Sequence, residues 1–292
     1  MKTLLNKRNI SILILIIAAF FWGSTFLFTK LLLNELQVYT LLASRSILAA
    51  GILYLIYRKT IHSEFISAIK SLTLWSFSCA GAIALSLQTA SLKYTTASNA
   101  AFITALFIVF IPIFKFVIYK ETVKNSFYGT IAIAIVGLYI ISIGFNVPYL
   151  FNKGDILSIF CALVYSFYIV LLEKLSVKYS EGSLMFFYFV IQFVFSAAIA
   201  IPTENITSII HLSTTSYSNL FTLAIFGSVI PYLLMAIGQK NIKAQTASII
   251  YNLEPVSATL LAYVFLGEEI SLNKAIGGII IFMALTLGIK KQ

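Results

Sequence analysis

The chain has little with which to face water. Asp, Glu, Lys and Arg make up only 10% of its 292 residues against 60% hydrophobic, and mean hydropathy is +0.98. A soluble domain carries about a quarter charged residues, so a water-soluble fold is excluded: it could not bury this much apolar surface. Cysteine is nearly absent. Cys79 and Cys161 both fall inside apolar runs, which argues against a disulfide framework and for small core residues. Histidine is as scarce. His62 and His211 fall in connections expected on opposite sides, so no histidine cluster can form a metal site and no nucleophile has a histidine base beside it. There is no G-x-x-x-x-G-K-S/T phosphate loop, so the chain does not itself hydrolyse nucleotide. None of these patterns implies a cofactor. With 14 glycines, obvious hinges are few.

What the chain does have is a succession of apolar runs, each long enough to cross the ~30 Å hydrocarbon core as a helix. Runs such as Ile10 to Leu33 and Ala244 to Leu266 do not alternate in polarity as barrel strands do. Breaking the sequence at charged and turn-forming residues predicts ten helices, at 10–33, 38–57, 71–91, 97–118, 125–144, 154–173, 182–202, 216–237, 244–266 and 272–289. The basic N-terminus, Met1 to Arg8, resembles the start of a signal peptide. The apolar stretch behind it runs on past Trp22 to Leu33, too long for a signal segment, so this helix is expected to be retained.

The net charge of +10 does not point to nucleic acid, because Lys and Arg lie in short connections and form no basic domain. Their placement reads as topology. With the N-terminus cytoplasmic, Lys30, Lys93, Lys153 and Lys274 fall outside, Arg45 lies in the membrane, and all the other basic residues, of 20 in total, fall inside. The positive-inside rule therefore expects an inner-membrane protein with both termini in the cytoplasm.

A weak internal repeat accompanies this topology. Ala97-Ser98 matches Ala247-Ser248, and Glu121, Asn125 and Gly129 match Glu269, Asn273 and Gly277 at one constant offset. Each half, 1–145 and 150–292, holds five helices, an odd number, so the second copy enters the membrane from the opposite face. Inverted repeats are a feature of secondary transporters, with the substrate site between the halves near the midplane.

Charged and amide side chains inside the apolar runs are the candidates for such a site, since lipid satisfies neither. Glu254 lies near the middle of the ninth helix, on one face with Tyr251 and Ala258. It can bind a substrate ammonium group or carry a coupling proton; alternatively it is structural, beside the bend that Pro255 imposes. Arg45 can clamp a carboxylate, snorkel outward or pair with a buried glutamate, Glu254 among the possibilities. Gln88, Asn99, Gln192 and Asn252 need protein or water partners, in a site or between helices. Trp22 and Tyr165, aligned between the first helices of the two halves, can line a cavity and stack on an aromatic or cationic substrate, or simply pack. Ala97, Ala101 and Ala105 form a row of small residues suited to close helix contact. Glu121 and Glu269, at helix ends, are read as caps for the helices that follow.

Ala18-Ala19-Phe20-Phe21-Trp22-Gly23-Ser24, the arginine in Leu42-Ala43-Ser44-Arg45-Ser46-Ile47-Leu48-Ala49-Ala50, the stretch Leu92 to Ile103, Leu253-Glu254-Pro255-Val256 and Phe265-Leu266-Gly267-Glu268 resemble EamA-type permeases of the drug/metabolite transporter superfamily. The resemblance spans essentially the whole chain. It implies an all-α membrane protein with ten transmembrane helices in two inverted five-helix repeats around a central cavity, moving small organic metabolites, amino acids among them, with export favoured by the resemblance alone. One departure is plain: the Glu-Pro pair exists only in the second half, where the first has Ala105 and carries Pro112 deeper in its helix. The expected partners are a small-molecule substrate and membrane lipid, without nucleic acid, in a monomer or homodimer. A flippase of lipid or a lipid-linked intermediate is the nearest alternative, a membrane-embedded enzyme a more distant one.

Overall fold

The computed structural model describes residues 2–142, 152–266 and 271–290. Among these, the regular elements are all helical: α1 (Lys2–Leu32), α2 (Val38–Ile69), α3 (Leu72–Ser91), α4 (Ala97–Thr104), α5 (Phe107–Tyr119), α6 (Asn125–Ser142), α7 (Lys153–Lys178), α8 (Glu181–Thr203), α9 (Thr214–Ala224), α10 (Ile230–Gln239), α11 (Ala244–Tyr251), α12 (Glu254–Leu266) and α13 (Leu272–Lys290). A 3-10 turn at Ile206–His211 precedes α9, and a π-helical turn at Ile225–Val229 joins α9 to α10. Glu269 and the Gly267-Glu268 pair lie outside the described residues.

Helix is the form that lets an apolar segment satisfy its own backbone where water is absent. Eight segments among the described residues are long and apolar enough to cross a membrane: Lys7–Leu32, Val38–Ile69, Leu72–Ser91, Asn99–Tyr119, Lys153–Lys178, Glu181–Thr203, Thr214–Gln239 and Ala244–Phe265. The apolar stretches Asn125–Ile140 and Ala275–Ala284 are shorter. Starts are marked by side-chain caps from Ser71, Thr96, Ser180 and Ser213, and by a reciprocal capping box between Asn152 and Asp155. Leu55, Leu72, Val264 and Ile279 point outward and are exposed, as hydrocarbon rather than water would require.

Six expectations need correction. The second helix does not end near 57 but continues to Ile69. Its extension is held because Glu64 accepts from the Ser180 amide and hydroxyl, Tyr179 donates to the Ser67 carbonyl, and Ile61 and Ala68 are buried. His62 is thus helical, within bonding distance of the Arg58 carbonyl, and not in a loop. The run 97–118 is broken at Ala105–Leu106 and the run 244–266 at Asn252–Leu253. In the second case the sequence holds the reason: Pro255 has no N–H for the Tyr251 carbonyl, and its ring is tolerated only in a helix's first turn. The run 216–237 is interrupted by the π turn just ahead of Pro231. Finally, Cys79 is exposed on α3 rather than packed inside, whereas Cys161 is buried.

The most extensive packing joins α2 with α8, α3 with α7, α6 with α13, and α1 with α12 and α10. Each of these pairs takes one helix from before residue 145 and one from after 150. Ala97, Ala101 and Ala105 are all buried, with α4 packed against α7 and α12.

Candidate functional site

Where α1, α2, α3, α7, α10 and α12 converge, their side chains leave a small polar cavity. Trp22, Arg45, Gln88, Tyr165, Tyr232 and Glu254 line it, with the thiol-bearing Cys161. The space at its centre, about 10 Å³ for the centre of a water-sized sphere, is at the lower limit for one water molecule. No metabolite fits this closed arrangement.

Aromatic rings build most of the wall. Trp22 meets Tyr232 and Tyr251 edge-on, each at 5.3 Å between ring centroids, and Tyr165 at 6.2 Å. Tyr165 stacks on Tyr168 and Tyr188 on Tyr232, while the Tyr188 hydroxyl donates to that of Tyr232 at 3.4 Å. The ring-to-ring contacts fix these side chains without using their hydrogen-bonding groups. The Trp22 Nε1 and the Tyr168 hydroxyl are buried with no hydrogen-bond partner among the described residues.

Glu254 is 6% exposed and opens α12. Among the described residues its carboxylate has no hydrogen-bond or ion-pair partner, although a buried charge without one is costly. The partial positive charge of the helix N-terminus offsets part of that cost. α1 presses against the same turn: a Cβ on Gly23 would lie 2.8 Å from the Glu254 carbonyl oxygen and 2.7 Å from the Ala258 amide nitrogen. Glycine is therefore what lets Trp22 and Glu254 face one cavity.

Arg45, 2% exposed, forms no ion pair with Glu254. Its Nη2 donates to the Gly227 carbonyl at 2.6 Å and its Nε to the Ser228 hydroxyl at 2.5 Å. Gly227 is four residues before Pro231, so its carbonyl is the one whose α-helical donor the proline removes. The guanidinium replaces that missing N–H across the helix interface.

Of the other predicted residues, Tyr251 packs on Trp22 but turns its hydroxyl to Gln239, donating at 3.2 Å, and does not line the cavity. Asn252 sits in the α11–α12 break with both amide atoms buried and unbonded among the described residues. Asn99 is not central: it lines an open vestibule of about 680 Å³ with Lys30, Lys93, Tyr94 and Asn152. A second vestibule, about 430 Å³, is lined by Arg8, Lys124, Asn241 and Lys243. Arg8 and Lys30 lie near opposite ends of α1, roughly 33 Å apart at 1.5 Å per residue, so the vestibules open on opposite faces with the cavity between them. Gln192 is fully buried away from the cavity lining, donating to Ser196 at 2.9 Å, with its Oε1 unbonded among the described residues.

Glu121 does not cap α6. It pairs with the buried Lys115 at 3.0 Å and with Lys174 at 3.2 Å, and donation from Lys115 holds its carboxylate below the ordinary range. Sequence reasoning missed Tyr232, Thr25 and Cys161 in the cavity wall. Only Tyr232 had a signal, the preceding Pro231. Among the described residues no three His, Cys, Asp or Glu side chains converge as a metal site would need.

The sequence model of the EamA-like transporter family matches the chain twice, over residues 9–143 and 152–289. Two proteins of Archaeoglobus fulgidus, each described as an uncharacterized transporter, are similar over most of its length. One is 29% identical over 281 residues, 96% of this chain and 86% of its own; the other is 24% identical, covering 96% and 97%. An uncharacterized transporter of Clostridium kluyveri is 27% identical over 69% of this chain and 66% of its own. A crystal structure of a protein 16% identical superposes with a TM-score of 0.73 over 96% of both chains, a likeness of fold alone. With its apolar helices, the double match makes this a multi-pass membrane protein, and the chain belongs to the EamA-like transporter family.

Proposed function

We propose that the protein is a secondary transporter that moves a small organic metabolite, an amino acid or related compound, across the inner membrane by alternating access. The observation that carries this reading is Glu254, a buried carboxylate with no hydrogen-bond or ion-pair partner among the described residues, in an aromatic cavity between two vestibules on opposite faces. An ammonium group would find a counter-charge in Glu254 and ring faces in Trp22 and Tyr165. Gln88 and the Trp22 Nε1 offer hydrogen bonds to a polar neighbour of that group. Export is the preferred direction, with both termini cytoplasmic.

The reading includes ten transmembrane helices in two inverted halves, 1–145 and 150–292. The double family match supports it, as does the pattern of packing. Counting helices by membrane pass, exchange of the halves carries the α3–α7 contact into α1–α10, and returns α2–α8 and α6–α13 to themselves. A lipid-flipping reading has one observation in its favour, an apolar lateral groove of about 400 Å³ lined by Phe102, Val256, Leu260, Gly278 and Phe282.

Counterflow of labelled amino acids, amines and nucleosides into liposomes tests the proposal. Saturable uptake of one class, lost in Glu254→Gln, is expected. Uptake unchanged by that substitution would return Glu254 to a structural role, and transbilayer movement of labelled lipid with no solute uptake would overturn the metabolite reading.

A further inference from the structure

The two faces of the molecule are closed by related sets of contacts. Lys30 follows Trp22 by eight residues on α1, and Glu173 follows Tyr165 by eight on α7, so the two hold equivalent positions if the halves repeat. At one face the Lys30 Nζ donates to the carbonyl of Thr95, in the lead-in to the broken helix α4–α5, at 3.2 Å. At the other, the amide of Ala244, the first residue of the broken helix α11–α12, donates to Glu173 Oε2 at 2.7 Å. The sign of the side chain is inverted, and the backbone group it meets is inverted with it.

The start of the opposite half's first helix adds a second contact at each face. The Thr95 hydroxyl donates to Asp155, fully buried at the head of α7, at 3.2 Å. The Asn241 amide donates to Ser11, buried near the head of α1, at 3.1 Å. Packing is tight at both points: a Cβ on Gly154 would meet the Ser91 carbonyl at 2.7 Å, and one on Gly238 would meet the Leu15 side chain, with the Ser11 carbonyl at 3.3 Å. Lys115 doubles the second set, with Nζ 3.0 and 3.1 Å from the Glu173 oxygens. Lys30 and Thr95 line the vestibule at the Lys30 face, and Asn241 lines the one at the Arg8 face.

We propose that these are two equivalent latches, Lys30–Thr95–Asp155 and Glu173–Ala244 with Ser11–Asn241, each closing one face by pinning the head of a broken helix, and that solute passes when one opens while the other holds. The inference rests on the alternating-access reading above and adds the residues that gate it. A broken helix suits the task because its first segment can swing without moving the second.

Cys161 supplies a native reporter at the cavity wall. In the Cys79→Ser protein it is the sole thiol of a chain with two cysteines, and its labelling by a membrane-impermeant maleimide can be followed from either side of oriented proteoliposomes. Loss of a charge-assisted bond shifts an open-closed equilibrium by roughly tenfold or more. Glu173→Gln is therefore expected to speed labelling about tenfold from the Arg8 face only, and Lys30→Met likewise from the Lys30 face only. Ser11→Ala deletes one neutral bond and should give selectivity for the Arg8 face at about fivefold, while Thr95→Val deletes the hydroxyl's bond to Asp155 and should give selectivity for the Lys30 face at about tenfold, which keeps the test decisive if a charge variant fails to fold. Equal acceleration from both faces, or none, overturns the latches. Counterflow in the same liposomes separates the two claims: saturable uptake with no face selectivity removes the latches and leaves the transporter, while face selectivity without uptake of any solute does the reverse.

Discussion

Replacing Gly23 by alanine adds one methyl group where α1 crosses the first turn of α12. That carbon would stand 2.7 Å from the Ala258 amide nitrogen and 2.8 Å from the Glu254 carbonyl oxygen, with the Ser257 hydroxyl nearer still. Two of the three neighbours are backbone and cannot turn aside. The helices must therefore separate, and the turn that moves carries Glu254. Overpacking of this kind costs about 1 to 3 kcal/mol, against which alanine's better helix propensity returns up to about 1 kcal/mol. Gly51, on α2, is the internal control, because a Cβ there meets nothing within 4 Å. Thermal unfolding in detergent and counterflow in liposomes should place Gly23→Ala clearly below wild type in both, and Gly51→Ala level with it or above in stability. Adding Ser257→Ala to Gly23→Ala removes the side-chain clash but not the backbone ones, so recovery should be partial. Full recovery, or a Gly23→Ala protein as stable and active as Gly51→Ala, would refute the reasoning.

The role given to Arg45 makes a pairwise prediction. Arg45→Met leaves the Gly227 carbonyl unsatisfied and should destabilise by about 1 to 3 kcal/mol; Pro231→Ala restores an N–H four residues on, so the double variant should be more stable than Arg45→Met alone in thermal unfolding. At the Lys30 end of the molecule, Glu35 accepts from the Ser216 hydroxyl at 2.6 Å and from the Ser213 amide and hydroxyl at the head of α9, and these bonds, that from Ser216 foremost, hold its carboxylate below the ordinary value near 4.5. A lowered value means the stabilisation is complete above the ordinary one and drains away as pH falls through the folded one. Melting temperature should thus decline below about pH 4.5, less steeply in Glu35→Gln, which starts lower; identical slopes would exclude Glu35 from the acid transition.

Much of this protein follows from local chemistry, which is why the sequence sufficed for it. Run length and hydropathy are properties of a segment alone, and they sufficed for an all-helical chain in which eight of the described segments are long and apolar enough to cross a membrane. The rule that lipid satisfies neither charge nor amide turned Arg45, Gln88 and Glu254 inward before any contact was known, and all three do line one cavity with Trp22 and Tyr165. Proline carries its own signal, so the breaks before Pro255 and Pro231 were open to reading from the missing N–H. The break at Ala105–Leu106 had no such mark. What only the tertiary structure decided concerns partners brought from far along the chain. Arg45 was free to meet a carboxylate until α9 and α10 placed the Gly227 carbonyl against it. Glu121 looked like a helix cap because Lys115, six residues before it, gave no sign of turning back toward it. The extension of α2 past residue 57 depends on Ser180 and Tyr179, more than a hundred residues away. Asn99 was indistinguishable from Gln88 by composition, yet one lies at a vestibule and the other at the centre, because depth in the membrane depends on where a helix starts and where it breaks. Periodicity reports which face of a helix is buried; which group waits on the other side is settled only by packing.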